Sequence, residues 1–194
     1  MKKRIFIAIN LPSKVKNKLA EMQDDLQERF ELAYTDSPIK WTKKENLHVT
    51  LLFLGLIDDV HIPELLKIIE ESIQESEVFD LFIDNIVYGP NINNPKMIWA
   101  NIKITDELLV LQNNLQNLIL ENDYDAELDR KFKPHITLGR INQWEFKSLN
   151  KEEVPGVDDY LGMGFAVKSI DVMESFLEKK GPTYCILNSY NLKQ

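Results

Sequence analysis

The sequence predicts an α+β protein built from two similar lobes. Two observations carry this. The 194 residues run twice through one order of elements: strand, helix, strand, helix, strand. A His-x-Thr-Leu tetrapeptide falls on the middle strand of each copy, as His48-Val49-Thr50-Leu51 and as His135-Ile136-Thr137-Leu138. The two histidines lie 87 positions apart, and the opening strands are offset by a similar 93 (residue 5 to residue 98). Similar lobes pack about a pseudo-two-fold axis, which turns equivalent motifs toward each other across a central cleft, a common place for a ligand.

Each element has a local reason. Residues 4–10 (RIFIAIN) form a buried strand. Pro12 opens a helix, where its missing N–H does no harm, and Val15, Leu19, Met22, Leu26 and Phe30 recur at helical spacing over 13–30. The first motif strand, 47–54, is closed by Gly55. Asp58 or Asp59 is expected to cap a helix near 60–76 that buries Ile62, Leu65, Ile69 and Ile73. A strand over 78–88 ends in the turn GPNINNP. The second copy starts with a strand at 96–104. Thr105 then caps a helix over 106–121 with Leu108, Leu111, Leu115 and Leu118 on one stripe. The second motif strand covers 133–139, and a short helical stretch follows near 143–153. Residues 162–177 read as one long strand, and GPTYCILNSY as the last, after a turn at 179–181.

On a strand, alternate side chains share a face. His48 therefore sits beside Thr50, and His135 beside Thr137, with Val49, Leu51, Ile136 and Leu138 turned the other way. Two such units facing each other bring two groups that titrate near neutrality and two neutral hydroxyl donors to one place. That set suits acid–base chemistry on a phosphate ester. A lone strand histidine is usually structural, so it is the repetition that carries the reading. His61, outside the pattern, is expected to be a solvated surface residue, and Cys185 a buried strand residue. Trp41 fits a packing role or a stacking one. Arg140, ending the second motif strand, fits a phosphate contact or a surface ion pair.

Composition bounds the partners. The formal net charge of −8 argues against holding long nucleic acid by neutralising many phosphates. A pocket for one terminal phosphate remains compatible, with Lys40, Lys43 and Lys44 before the first motif and Arg130, Lys131, Lys133 and Arg140 around the second. One cysteine excludes an internal disulfide and fits a reducing compartment. No run approaches the roughly 20 apolar residues of a membrane span. The expectation is a monomeric cytoplasmic protein with no membrane partner. Histidines raise the question of zinc, but there is no second cysteine and no histidine pair at helical spacing. No P-loop and no Gly-x-Ser-x-Gly elbow is present, and no metal or cofactor is expected.

RIFIAINLP, WTKKENLHVTLLFLG, FKPHITLGR and ESFLEKKGPTYCIL together resemble the two-histidine phosphoesterases, in particular their RNA 2′,3′-cyclic phosphodiesterases (the LigT-like family). Ser175, Gly181 and Tyr184 fall at familiar positions, and Gly139 stands where alanine is common. The resemblance implies a single bilobal domain over 1–194, with two antiparallel sheets, helices outside them, and a metal-independent site between the lobes. It implies hydrolysis of a 2′,3′-cyclic phosphate at an RNA end to a 2′-phosphate. His48 would be the proton donor and His135 the proton acceptor, with Thr50 and Thr137, and more weakly Arg140, on the phosphate. The near-symmetric motifs do not by themselves assign acid and base. A substrate with 2′–5′ linkages, another small cyclic phosphate, or non-catalytic binding of RNA ends are the alternatives.

Overall fold

The computed structural model describes residues 1–34, 37–122, 124, 132–147, 149, 154–157, 160–178 and 181–194. The elements are β1 (Lys2–Asn10), α1 (Ser13–Ala33), β2 (Ile39–Trp41), β3 (His48–Asp58), α2 (Ile62–Ile73), β4 (Phe79–Gly89), β5 (Met97–Ile102), α3 (Asp106–Glu121), β6 (His135–Ile141), α4 (Gln143–Lys147), β7 (Tyr160–Val167), β8 (Ser169–Glu178) and β9 (Gly181–Asn191).

The two separate sheets expected from the sequence are one. A strongly curled nine-stranded antiparallel sheet runs β7-β4-β5-β6-β3-β1-β8-β9, with β2 also paired to β6. Among the described residues the two halves of the sheet pair at one position, Val49 opposite Ile136. The physical reason lies in the strand edges. Each motif strand would otherwise end its lobe as an open edge with unpaired backbone groups. The two edges meet at that pair and then diverge. Beyond it, β2 takes over the free side of β6, with Ile39, Lys40 and Trp41 opposite Ile141, Arg140 and Gly139.

The sequence copies are also not the structural lobes. One lobe is β3-β1-β8-β9 and the other β6-β5-β4-β7. The last strand of the first copy, β4, pairs with β5 and β7, while the chain end supplies β8 to β1 and β9 to β8. A hairpin through the short turn after Gly89 brings β4 beside β5, and consecutive strands generally pair this way. The stretch read as one strand over 162–177 is β7 and β8, which meet at Lys168 and belong to different lobes.

The duplication is closer than the sequence reading allowed. In the first lobe Asn10, Ile9 and Ala8 oppose His48, Val49 and Thr50, and a register shift follows before Ile7 meets Leu52. In the second, Asn101, Ala100 and Trp99 oppose His135, Ile136 and Thr137, with the same shift before Ile98 meets Gly139. Aligned on these pairs, the opening strands are offset by 91 residues (Asn10 to Asn101) rather than 93.

One face of the sheet carries a single core spanning both lobes. Ile5, Ile7, Ile9, Val49, Leu51, Ile98, Ala100, Ile136 and Leu138 pack there under α1, α2 and α3. The buried stripe of α1 contains Gln23 where the periodicity placed Met22, which is only partly buried. The Gln23 amide donates to the carbonyls of Thr42 (2.8 Å) and Leu138 (2.7 Å), so it ties the helix to β2 and β6. Thr105 caps α3 as expected, accepting from the Leu108 N–H at 3.3 Å. Asp58 and Asp59 do not cap α2. They lie within salt-bridge distance of Lys2, Lys3 and the N-terminal amine instead. Gly139 also has its reason here, since a β-carbon would lie 2.7 Å from Ile39 Cγ2 and push β2 away.

Candidate active site

The face opposite the helices holds the motif side chains. Val49 and Ile136 are fully buried on the core side, so the strand pleat sends His48, Thr50, His135 and Thr137 to the other face. The cross-lobe pair lies between them, and all four expected residues converge. The second-lobe histidine helps to depress the pKa of the first, which places the imidazoles within electrostatic reach of each other.

Both imidazoles are held in the same way. Nδ1 of His48 lies 2.7 Å from the Asn46 carbonyl, and Nδ1 of His135 lies 2.7 Å from the Lys133 carbonyl. A carbonyl only accepts, so Nδ1 carries the hydrogen and the neutral ring keeps a bare Nε2 for chemistry. His48 Nε2 is 3.1 Å from Thr50 Oγ1, a hydroxyl able to donate to it.

The supporting rings differ between lobes. His135 stacks on Trp99 with ring centroids 3.8 Å apart. His48 is flanked by Phe6 at 5.1 Å and by the edge of Tyr184 at 5.2 Å. The register pairs add an asparagine beside each histidine. The Asn10 amide donates to Asp171 Oδ2 at 2.7 Å, and the Asn101 amide to Asn85 Oδ1 at 3.1 Å. Phe6, Trp99 and the two asparagines were missed in the sequence. The signal was there in the endings of the opening strands, AIN and WAN, which become informative once paired with the motif strands.

Desolvation by burial pushes the His48 pKa down to about 4; the Asn46 carbonyl opposes this, and Lys16, His135 and Arg140 add to it. His135 is also lowered, first by burial and then by Arg140, against the pull of the Lys133 carbonyl. Both rings are thus neutral near pH 7 in the free protein. A stability effect follows for His48. Its folded pKa lies below the unfolded value, so the unfolded chain takes up a proton first as pH falls, and stability drops between about pH 6.5 and 4. The loss is about 3 kcal/mol at most. Urea midpoints at pH 7 and pH 4.5 check it: His48→Gln should lose less stability on acidification than the wild type, and equal losses would contradict the argument.

Arg140 is exposed and stands close enough to Tyr184, on the other side of the cleft, to act on its phenol. Its Nη1 lies 3.8 Å from Met97 Sδ, and among the described residues it forms no ion pair. Burial raises the Tyr184 pKa, while Arg140 pulls it back. Thr137 Oγ1 faces the same Met97 sulfur at 4.0 Å, a weak contact that leaves the hydroxyl free to donate. Trp41 packs against the core and Gly139, which supports the packing reading. Cys185 is exposed, contrary to expectation, because Tyr184 rather than Cys185 turns toward the cleft. Arg130 and Lys131 lie outside the described residues. Among the described residues, no three His, Cys, Asp or Glu side chains cluster in a way that could hold a metal, and no helix is long and apolar enough to cross a membrane.

A family model described as "LigT like Phosphoesterase" matches residues 9–99 and 101–184, nearly the whole chain. The chain belongs to the LigT-like phosphoesterase family. Among its relatives, the RNA 2′,3′-cyclic phosphodiesterase of Thermotoga maritima is 29% identical over 188 residues, covering 95% of this chain and 92% of that protein. The RNA 2′,3′-cyclic phosphodiesterase of Methanocaldococcus jannaschii is 28% identical, covering 96% and 99%. The solved structure of TT0787 from Thermus thermophilus superposes with a TM-score of 0.82 at 26% identity, covering 98% of both chains. That of LigT from E. coli complexed with 3′-AMP gives 0.73 at 20%, covering both chains fully, which speaks for the LigT-like fold alone. The matched segments 9–99 and 101–184 each contain one His-x-Thr-Leu unit of this LigT-like chain.

Proposed function

We propose that this LigT-like phosphoesterase hydrolyses 2′,3′-cyclic phosphate ends of RNA to 2′-phosphomonoesters. The observation that carries the proposal is the meeting of two His-x-Thr units on one sheet face at the Val49–Ile136 pair. The relatives' activity supports the substrate class. A cyclic phosphodiester is strained and already contains its leaving group. Opening it needs one proton taken from water and one given to the departing oxygen.

In this reading His48 protonates the departing 3′ oxygen and His135 takes the proton from the attacking water. Thr50 and Thr137 donate hydrogen bonds to the non-bridging oxygens as charge builds on the phosphorus centre. Uncharged donors suit this place, because they hold the phosphate without fixing the protonation state of the imidazoles. The acid must carry a proton that burial disfavours in the free site. The substrate's own negative charge offsets that cost, since an anion beside an imidazole raises its pKa.

This gives a pH signature. The competent form has one imidazole protonated and one neutral. With both pKa values lowered in the free enzyme, kcat/KM should be bell-shaped with its optimum below about pH 6.5. The bound phosphate raises both, so the optimum of kcat should lie at higher pH. The apparent values belong to the pair rather than to single residues. A rate flat from about pH 5 to 9 would exclude histidine acid–base catalysis.

The direct test is to incubate the protein, with chelator present, with a short RNA ending in 2′,3′-cyclic phosphate. Phosphorus NMR of the product is expected to show a 2′-phosphate. A 3′-phosphate would mean that the substrate lies reversed between the histidines. Activity lost on chelation and restored by zinc or manganese would replace this mechanism with a metal-dependent one.

A further inference from the structure

The two lobes match residue for residue around the motifs, and the places where they differ mark the cleft's direction. Arg140 is the counterpart of Phe53. Each opposes its opening strand just past the register shift, Arg140 opposite Met97 and Phe53 opposite Phe6. Phe53 is half-exposed and packs its ring 6.0 Å from that of Phe6. One side of the cleft is therefore aromatic where the other carries a guanidinium. The strand β2, paired to β6, adds Lys40 directly opposite Arg140. Cross-strand partners share a face, so both cations stand on the site face.

Lys40 does not simply extend into solvent. Its Nζ lies 3.8 Å from the position a β-carbon on Gly181 would take, at the start of β9. Arg140 stands near enough to Tyr184, on the same strand, to act on its phenol. Both thus lean from one lobe toward residues 181–184 of the other, across the mouth of the cleft. Neither forms an ion pair among the described residues, although the chain's net charge is −8. The register shift lies between Thr137 and Arg140, which oppose Trp99 and Met97, two residues apart on β5, roughly 7 Å along a strand. That separation suits a second phosphate one nucleotide away from the reacting one.

We propose that Lys40 and Arg140 form a second phosphate subsite, which takes the phosphodiester on the 5′ side of the terminal nucleotide. The enzyme then favours oligoribonucleotide ends over cyclic mononucleotides. The proposal rests on the phosphodiesterase reading above. The Arg140 guanidinium offers the anion paired N–H donors.

The test compares adenosine 2′,3′-cyclic phosphate with the dinucleotide ApA ending in the same cyclic phosphate. The wild type should prefer the dinucleotide by about tenfold or more in kcat/KM, mainly through KM. Its rate on the dinucleotide should fall more steeply with salt, by about 0.7 in logarithmic slope, the share of one extra phosphate. Lys40→Met should bring the preference toward one, and Lys40→Arg should keep most of it. A dinucleotide with a neutral methylphosphonate linkage should behave like the mononucleotide. A wild-type preference near one, or a preference that survives both Lys40→Met and the methylphosphonate, overturns the subsite; in the second case the added base is responsible. Turnover of neither substrate overturns the phosphodiesterase reading, and the subsite with it.

Discussion

His48→Ala and His135→Ala should each lower kcat by roughly 10² or more on a cyclic-phosphate RNA end. The expectation follows from the site's construction. Each ring has Nδ1 fixed on a carbonyl, so all its proton-transfer capacity lies in Nε2, and alanine removes it without a substitute. Water can replace either group only as a much weaker acid or base. The double variant should be little worse than the worse single one, because in the proposed mechanism the two groups act in one step. Circular dichroism and a urea titration separate this from misfolding. A folded single variant with near wild-type turnover would remove that histidine from the mechanism.

Gly89→Ala should reduce activity by up to about 10² and stability by about 1–3 kcal/mol, although residue 89 touches no substrate. A β-carbon at Gly89 would overlap the Trp99 indole. That indole is buried and stacked on His135. Either the indole shifts and takes His135 with it, or β4 moves away from β5. The loss should appear in kcat more than in KM, because in the proposed mechanism the displaced group is the base. Gly89→Ala combined with Trp99→Phe, which makes room, should recover part of the stability. Wild-type kinetics in Gly89→Ala would show that the position of Trp99 does not matter to His135.

The four motif residues were legible because a strand's period of two puts His and Thr on one face whatever the rest of the fold does. Helix α3 was legible for the same kind of reason, since the Thr105 cap and the leucine stripe are local. What failed was long-range. Lys168 breaks a continuous apolar run into β7 and β8, yet nothing nearby announces that its two sides join different lobes. Asp58 and Asp59 look like caps until β1 brings the Lys2 and Lys3 ammonium groups beside them. Cys185 looked buried because its neighbours are apolar, but the outer sheet position it occupies is exposed.

By itself, then, the sequence determined which side chains could do the chemistry, since residue type and strand spacing are properties of a short segment. Only the tertiary structure decided that the two lobes share one sheet. It alone put Asn10 and Asn101 beside the histidines and made one wall aromatic and the other basic. It also set both imidazoles below their ordinary pKa. These depend on burial and on pairing between strands far apart in the chain, and the spacing of residues along a segment does not encode them.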